Sequence, residues 1–539
     1  MTRASSWTYL GLAALVVVLW FATLGERPLF NTDEGRYAEI PREMLAGGNW
    51  IIPHLDGLVY VEKPPLQYWA SALSLTLLGE NEVGARFYTA LCALLAVLAA
   101  ALGARALWGA QAALRTAAML PSMMLFLLMG QILTLDMSLT FYMTVALAAF
   151  LAAQRAAGGS QRAWMLLAWG ASALGVLTKG LVAAAVPAAV LVLYSLYARD
   201  FSPWRRLHAA PGAVLFALIA VPWYWLAARA QPGFLEFFFV HEHLARYLTP
   251  SADREQVWWF FVPVCLLGSL PWTLPALRAL GRARRRIEGF DAALFLRIWV
   301  LFVLVFFSLS DSKLIPYVLP LFPALALLTA SLPEADLERD LARTAVLTVA
   351  MGIALALTCL LAPGHIAPSE RSSYFLALQR PLAQIAALLA ASGVYVLAQR
   401  RRGVTRSAVF LGVGWCLSGL LFVQAAAAVA PVYSGIELAR ALPRVPPEVP
   451  IYSVGTYDQT LPFYWRRTVR LVAYRGELDF GLRQDPAAEI PTVEEFTRRW
   501  EAEPAAYAVM DKKTFELLSS RGVPMREIAH DVNRVLVAR

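Results

Sequence analysis

Residues 135–198 read LDMSLTFYMTVALAAFLAAQRAAGGSQRAWMLLAWGASALGVLTKGLVAAAVPAAVLVLYSLYA, with Asp136, Arg155, Arg162 and Lys179 as the charged residues of the stretch. Three apolar runs, 135–153, 163–178 and 180–198, each approach the roughly 20 residues that cross a bilayer as a helix. The charges fall between the runs or at their ends, where they can reach water. The same pattern recurs near 7–24, 84–104, 117–129, 211–228, 257–277, 294–309, 314–331, 344–362, 381–398 and 407–430. About 13 transmembrane helices are therefore expected.

Composition points the same way. Of 539 residues, 59% are hydrophobic and 16% charged, against about 45–50% and about 25% in soluble proteins. That excludes a disordered chain, a disulfide scaffold and an ordinary cytosolic enzyme. Cys92, Cys265, Cys359 and Cys416 all lie in apolar stretches without CxxC spacing, so they read as buried small hydrophobes. The first run follows Arg3 and lacks a clean small-residue cleavage site, and is read as an uncleaved anchor.

Orientation follows from the loops. The formal charge of +9, from 47 basic and 38 acidic residues, reads as positive cytoplasmic turns, with no call for nucleic acid. With the N-terminus inside, the cytoplasmic turns hold Arg105, Arg115, Arg155, Arg162, Arg199, Arg205, Arg206 and the basic runs at 278–286 and 400–406. The loop at 332–343 dissents with Glu334, Asp336, Glu338 and Asp340, but acidic residues weigh little in this rule. An odd number of spans places residues 431–539 outside, beyond a membrane domain of residues 1–430. In that segment IYSVG, TVRLVAY, YAVMD and RVLVAR read as strands and PTVEEFTRRWEAE as an amphipathic helix. A small α/β domain with an accessory or docking role is expected.

The first external loop, 25–83, is far longer than the usual 2–8 residues between bundle helices, and long ordered loops are usually functional. It opens NTDEGRYAEIPREML, with Asp33 and Glu34 at the mouth of a helix whose Ile40, Met44 and Leu45 suit the membrane interface. Helix capping by Asp33 is the plain alternative. Then VYVEKPPLQYW puts Glu62 and Lys63 before Pro64 and Pro65, which hold the chain extended. LQYWASALSLTLLG follows as a second interfacial helix with a Tyr68–Trp69 belt.

Of the 47 basic residues only Lys63, Lys179, Lys313, Lys512 and Lys513 are lysine. The three in the membrane region all fall on the external side, where compact charges suit an anionic head group. Snorkelling to the interface is the plain alternative. Asp136 is an acid at the external end of its span, and such residues are functional candidates; a helix-start cap is its alternative. FVHEHLARYL carries His241, Glu242 and His243. Histidines at i and i+2 chelate one ion only from extended or irregular backbone, and such pairs are more often exposed than metallated. In SDSKLIPYVLP, Lys313 and Tyr317 are four apart and expected on one helix face.

Together NTDEGRYAE, GNWIIPHLDGLVYVEKPPLQYW, LTLDM, VLTKGLVA and SDSKLIPYVLP resemble the GT-C membrane glycosyltransferases of the protein O-mannosyltransferase superfamily. The order REML…GNWIIPHLDG…EKPP is most similar to the bacterial aminoarabinose transferases of lipid A. Pro65-Leu66 after EKP follows the broader superfamily. The resemblance implies a mostly α, polytopic GT-C fold with a small periplasmic α/β domain. It also implies sugar transfer from undecaprenyl phosphate to a lipid A phosphate at the outer face of the inner membrane, blunting polymyxin. Asp33 and Asp136 match the family's acidic positions, and Lys63, Arg36 and Tyr317 its phosphate contacts. Zinc is associated with the positions of Glu62 and His243. We add Glu34 to the expected catalytic set, Lys313, Lys179 and Arg246 to the donor-binding set, and His241 to the metal ligands. No cofactor is strictly required, a divalent metal such as zinc is the candidate, and a monomer in the bilayer is expected.

Displacing a phosphate from an anomeric carbon develops oxocarbenium character while charge grows on the leaving oxygens. Lys63 and Arg36 are placed to stabilise that charge. A hydroxyl acceptor needs Asp33 as base; a phosphate acceptor is already ionised, leaving Asp33 to orient the nucleophile or the sugar's amine. The alternative acceptor is a Ser or Thr hydroxyl, as in a protein O-mannosyltransferase. A lipid-linked sugar transporter would need ionisable residues along a transmembrane path, and the spans at 84–104, 180–198, 344–362 and 381–398 carry essentially none at mid-depth.

Overall fold

In a bilayer, backbone polar groups must be satisfied within the segment, and each of the apolar runs is largely helical in the computed structural model. It describes residues 3–245, 256–282, 289–361, 370–442 and 445–539. Among these, 8 helices are long and apolar enough to cross a membrane, or 10 if each of two bent pairs is one crossing. The expected thirteen is reached only by adding Gly158–Lys179 (22 residues), Val182–Ala198 (17) and Leu321–Ala330 (10). The bends measure 68° between Ala110–Ser122 and Met124–Gly130, and 117° between Phe261–Gly268 and Thr273–Gly281. Pro121 and Pro271 sit at these breaks, where a backbone donor is missing.

Small residues bring the helices together. Helix Glu82–Trp108 buries Ala90, Ala93, Ala96, Ala100 and Ala104 along one side, and a Cβ on Gly393 would lie 2.7 Å from the carbonyl oxygen of Ala345. In lipid such close approach supplies the dispersion that holds helices together. Trp20, Trp272, Trp299 and Trp415 fill the bundle core. Their indole N–H groups donate to Ala90 O, Ser122 Oγ, Pro320 O and Thr348 Oγ1 at 2.9–3.2 Å, so their burial strands no donor. All four cysteines are free thiols, three of them buried.

The acidic loop that ran against the charge rule has a structural explanation. Glu334 lies 2.5 Å from Arg115, Asp336 lies 2.5 Å from Arg282, and Asp340 pairs with Arg278. These acids neutralise the basic end of the bundle, tying helix Glu334–Leu361 to its neighbours.

The first loop folds into helix Asp33–Gly47, a hairpin of β1 (His54–Leu55) and β2 (Leu58–Val59), an extended stretch, and helix Leu66–Leu78. Neither helix lies on lipid quite as the sequence suggests. Ile40 and Met44 are buried with Tyr457, Phe463 and Leu471 of the C-terminal domain, and ten residues of Asp33–Gly47 are buried in all. Tyr68 faces inward, whereas Leu73 and Leu77 are exposed, so only the second helix keeps a free apolar edge. The domain above is cemented to the loop because both present apolar faces there.

That domain is a six-stranded sheet in the order β5-β4-β3-β6-β8-β7, formed by β3 (Ile451–Val454), β4 (Arg470–Val472), β5 (Glu489–Ile490), β6 (Tyr507–Asp511), β7 (Arg526–His530) and β8 (Arg534–Ala538). The first four neighbours run parallel, and β8 is antiparallel to β6 and β7. Helix Val493–Ala502 covers one face through Phe496 and Trp500.

An acidic joint links loop and domain. Glu43 accepts from the N–H groups of Asp56 (2.6 Å) and Gly57 (2.9 Å), and Asp56 Oδ1 accepts from Val469 N–H at 2.7 Å. Burial pushes the Asp56 carboxyl up to about 8, against the Val469 hydrogen bond. The folded protein thus holds a proton that the unfolded chain has lost. The associated stability is complete below the ordinary carboxylate range and gone once the pH has risen through about 8. The thermal midpoint, followed across that window, is expected to fall with rising pH and to fall less in Asp56→Asn.

Candidate active site

Helix ends supply the charged groups of the site. Asp136 lies in the first turn of helix Leu135–Arg155 and Lys179 in the last turn of Gly158–Lys179. The helix dipole favours an anion at the first position and a cation at the second, and the two side chains form an ion pair. Tyr317, on the 3₁₀ turn Ile315–Val318, lays its ring 4.9 Å from Lys179 Nζ, a cation–π contact. Lys63 is mounted on the stiff Glu62–Pro65 stretch, with Pro65 capping helix Leu66–Leu78. Its Nζ donates to Glu242 Oε2 (2.8 Å) and Glu62 O (3.0 Å).

Asp33 does not act as an N-cap: the cap is Thr32, without a side-chain hydrogen bond. Its carboxylate instead stands 42% exposed, with Arg36 Nη1 3.3 Å from Oδ1. Arg36 also pairs with Glu477 of the C-terminal domain, whose other oxygen accepts from Gln459 Nε2 at 2.9 Å. The approach is possible because residue 35 is glycine: a Cβ there would lie 2.4 Å from the Gln459 backbone. The C-terminal domain therefore holds the guanidinium in place.

These groups share one cavity of about 470 Å³, lined by Asp33, Arg36, Tyr37, Glu62, Lys63, Asp136, Lys179, Glu242 and Tyr317, with an apolar wall that includes Leu139, Leu181, Val182, Phe306 and Phe307. Three cations beside an apolar wall suit a phosphate carried on a hydrocarbon chain. Each of the three cations is engaged by a carboxylate.

Other expectations are corrected. Glu34 is not at the cavity. It is 2% exposed between Arg27 and Arg86 and accepts from Phe30 N–H (2.9 Å) and Leu133 N–H (3.0 Å). Burial alone would raise its pKa, but the two guanidinium groups hold it well below the usual carboxylate range. Its role is to tie the start of Asp33–Gly47 to the strand-like approach to Asp136. Lys313 does not line the cavity: its Nζ donates to Ser310 O at 2.5 Å. It does not share a helix face with Tyr317, because Leu314 between them is extended and the turn that follows is 3₁₀.

Of the three metal ligands expected from the sequence, the side chains of Glu62 and His241 are described. His241 sits on the π-helical segment Glu236–Ala245. His241 is 63% exposed and stacks on Phe237 at 5.3 Å, while a Glu62 oxygen lies 3.9 Å from Lys63 Nζ. No three His, Cys, Asp or Glu side chains among the described residues are grouped to hold an ion. The His243 side chain and Arg246 lie outside the described residues.

Glu242 and Glu477 had no role assigned in the sequence. Glu242 was legible as an acid in a motif read for its histidines; Glu477 carries no local signal, since it reaches Arg36 across 441 residues.

Comparison with known proteins places this geometry. The family profile described as dolichyl-phosphate-mannose-protein mannosyltransferase matches residues 5–238, and the aminoarabinose transferase C-terminal domain matches residues 438–539. The crystal structure of apo ArnT from Cupriavidus metallidurans superposes with a TM-score of 0.91 at 34% identity, covering 100% of this chain and 98% of that one. The same protein bound to undecaprenyl phosphate matches at 0.91, covering 99% and 98%. The undecaprenyl phosphate-alpha-4-amino-4-deoxy-L-arabinose arabinosyl transferase 1 of Sodalis glossinidius is 37% identical over 332 residues, 60% of this chain and 58% of that protein. Its Pseudomonas aeruginosa counterpart is 36% identical over 338 residues, 61% and 59%. These alignments span less than two thirds of the curated relatives' length. The fold is that of a multi-pass membrane protein of the glycosyltransferase class. Within that class, the chain belongs to the aminoarabinose transferase family.

Proposed function

We propose that this chain transfers 4-amino-4-deoxy-L-arabinose from undecaprenyl phosphate to a phosphate of lipid A. The reaction takes place at the periplasmic face of the bacterial inner membrane, the chain works as a monomer, and the product blunts polymyxin and related cationic peptides. The observation that carries this reading is the single cavity joining Arg36, Lys63 and Lys179 to an apolar wall. The names of the full-length and partial relatives support it.

In this reading the polyprenyl chain lies along the apolar wall and its phosphate meets Lys63 and Arg36. As the anomeric C–O bond breaks, negative charge grows on the phosphate oxygens in a site of low dielectric, where fixed cations act most strongly. Tyr317 and Asp136 keep Lys179 oriented toward the same space. The acceptor phosphate is an ionised nucleophile, so it needs positioning more than deprotonation, and Asp33, the open carboxylate of the cavity, borders its path.

Mass spectrometry of lipid A, from a strain deleted for its own aminoarabinose transferase and expressing this chain, tests the reading. Restored aminoarabinose on lipid A phosphate is expected. Unchanged lipid A together with newly glycosylated protein would point to a hydroxyl acceptor instead.

A further inference from the structure

At the end of the bundle farthest from the C-terminal domain, a second cavity of about 470 Å³ opens between helices Thr273–Gly281, Glu334–Leu361 and Gln379–Gln399. Helix Val404–Ala425, 22 residues and about 33 Å long, separates this end from the domain. The groove is lined chiefly by Leu274, Val346, Leu347 and Leu397, together with Arg343 and Arg400. It shares no lining residue with the cavity of Asp33 and Lys63.

Helix register sets the depth of each group. A Cβ on Gly393 would lie 2.7 Å from Ala345 O, and one on Gly352 2.7 Å from Ala386 O. Glu334–Leu361 and Gln379–Gln399 therefore run antiparallel in close contact. That pairing sets Arg343 level with Tyr395 and places Arg400 five residues, about 7.5 Å, further toward the end of the bundle. Val346 and Leu347, both half exposed, lie one turn deeper than Arg343 on the same helix face. The charges stand outside and this apolar pair inside, the order of a phospholipid's phosphate and acyl chain.

Both arginines keep charge to spare. Asp340 gives its two oxygens to Arg278 and lies 3.8 Å from Arg343, whose side chain is 65% exposed. Glu334 and Asp336 are taken by Arg115 and Arg282, and Glu338 does not line the groove. Arg400 is exposed and opens the run Arg400–Arg402, which makes no ion pair among the described residues. Guanidinium forks bind phosphate, and basic pockets between transmembrane helices take anionic head groups.

We infer that this groove binds an anionic phospholipid of the leaflet opposite the cavity of Lys63: Arg343 and Arg400 hold its phosphate, and an acyl chain lies over Leu274, Val346 and Leu347. Arginines that merely snorkel need no apolar groove between them. A zwitterionic lipid brings its own cation to two arginines and is disfavoured.

Full-length protein, delipidated in detergent, is titrated with phosphatidylglycerol and with phosphatidylcholine, and bound lipid is counted by native mass spectrometry. Wild type is expected to bind phosphatidylglycerol at least about 10-fold more tightly. In the double variant Arg343→Gln, Arg400→Gln its Kd is expected to rise about 30-fold, the weight of two basic side chains beside an anionic head group. Phosphatidylcholine binding is expected to stay unchanged. The double variant Arg401→Gln, Arg402→Gln removes the same charge outside the groove and is expected to leave the Kd within about 3-fold of wild type, as for screened surface charges. Without lipid all three proteins are expected to melt alike, since the four arginines are exposed. Equal weakening in the two double variants, the mark of surface charge alone, overturns the site. So does an unchanged Kd in the first variant, a wild type that binds both lipids alike, or a lipid-free thermal midpoint lowered only in the first variant, which would make Arg343 and Arg400 structural.

Discussion

Lys63→Ala and Asp33→Asn are each expected to lower the rate of sugar transfer by about 10²–10³-fold while the protein still inserts and folds normally. The magnitude is that of removing one preorganised donor from a site where charge develops, about 2.7–4 kcal/mol. Lys63 sits in the cavity, with Nζ 2.8 Å from Glu242, and its loss takes away the cation nearest the proposed leaving phosphate. Asp33 is 42% exposed, so replacing it with the isosteric amide disturbs no packing and removes only a charge. Single-turnover transfer by the purified variants, with thermal unfolding followed in parallel, separates the two effects. Full activity in either variant would remove that residue from the site, and a large fall in thermal midpoint would make its role structural.

The second large effect concerns Glu34, which lies beneath the cavity rather than in it. Glu34→Ala is expected to destabilise the fold by about 3–5 kcal/mol, the cost of breaking a buried ion pair by removing one partner. Glu34 accepts from Arg27 at 2.5 and 2.9 Å, from Arg86 at 2.8 and 3.0 Å, and from two backbone N–H groups. Its removal leaves two guanidinium groups buried against each other. Because the backbone bonds reach Phe30 and Leu133, the same change loosens the mounts of Asp33 and Asp136 together. Activity is therefore expected to fall even though Glu34 touches no part of the cavity. A thermal midpoint unchanged from wild type would contradict this account.

The apolar runs were legible because spanning helices must satisfy their backbone internally, a requirement written in consecutive residues. The strands read from IYSVG, TVRLVAY, YAVMD and RVLVAR are likewise all present, whereas the two-residue β5 and the polar edge strand β7 carry too little alternation to be seen. Asp33, Lys63, Asp136, Lys179 and Tyr317 could be singled out because a charge or a phenol beside an apolar run is anomalous, and the cavity collects all five. The same test misjudged Glu34 and Lys313, since an anomalous charge at a span's end serves equally well for structure. Nothing local distinguishes a carboxylate that faces a cavity from one that faces two arginines.

Residue order by itself thus determined that the chain is a multi-span membrane protein with a long first loop, an α/β tail and a set of charges gathered at one membrane face. Those are consequences of hydropathy, periodicity and charge placement, which act over neighbouring residues. Only the tertiary structure decided that the C-terminal domain grips Arg36 through Glu477, that the face of Ile40 and Met44 meets protein instead of lipid, and that Glu242 pairs with Lys63. Each of these depends on which surfaces meet after distant segments pack, and the free energy of such contacts is carried by partners hundreds of residues apart.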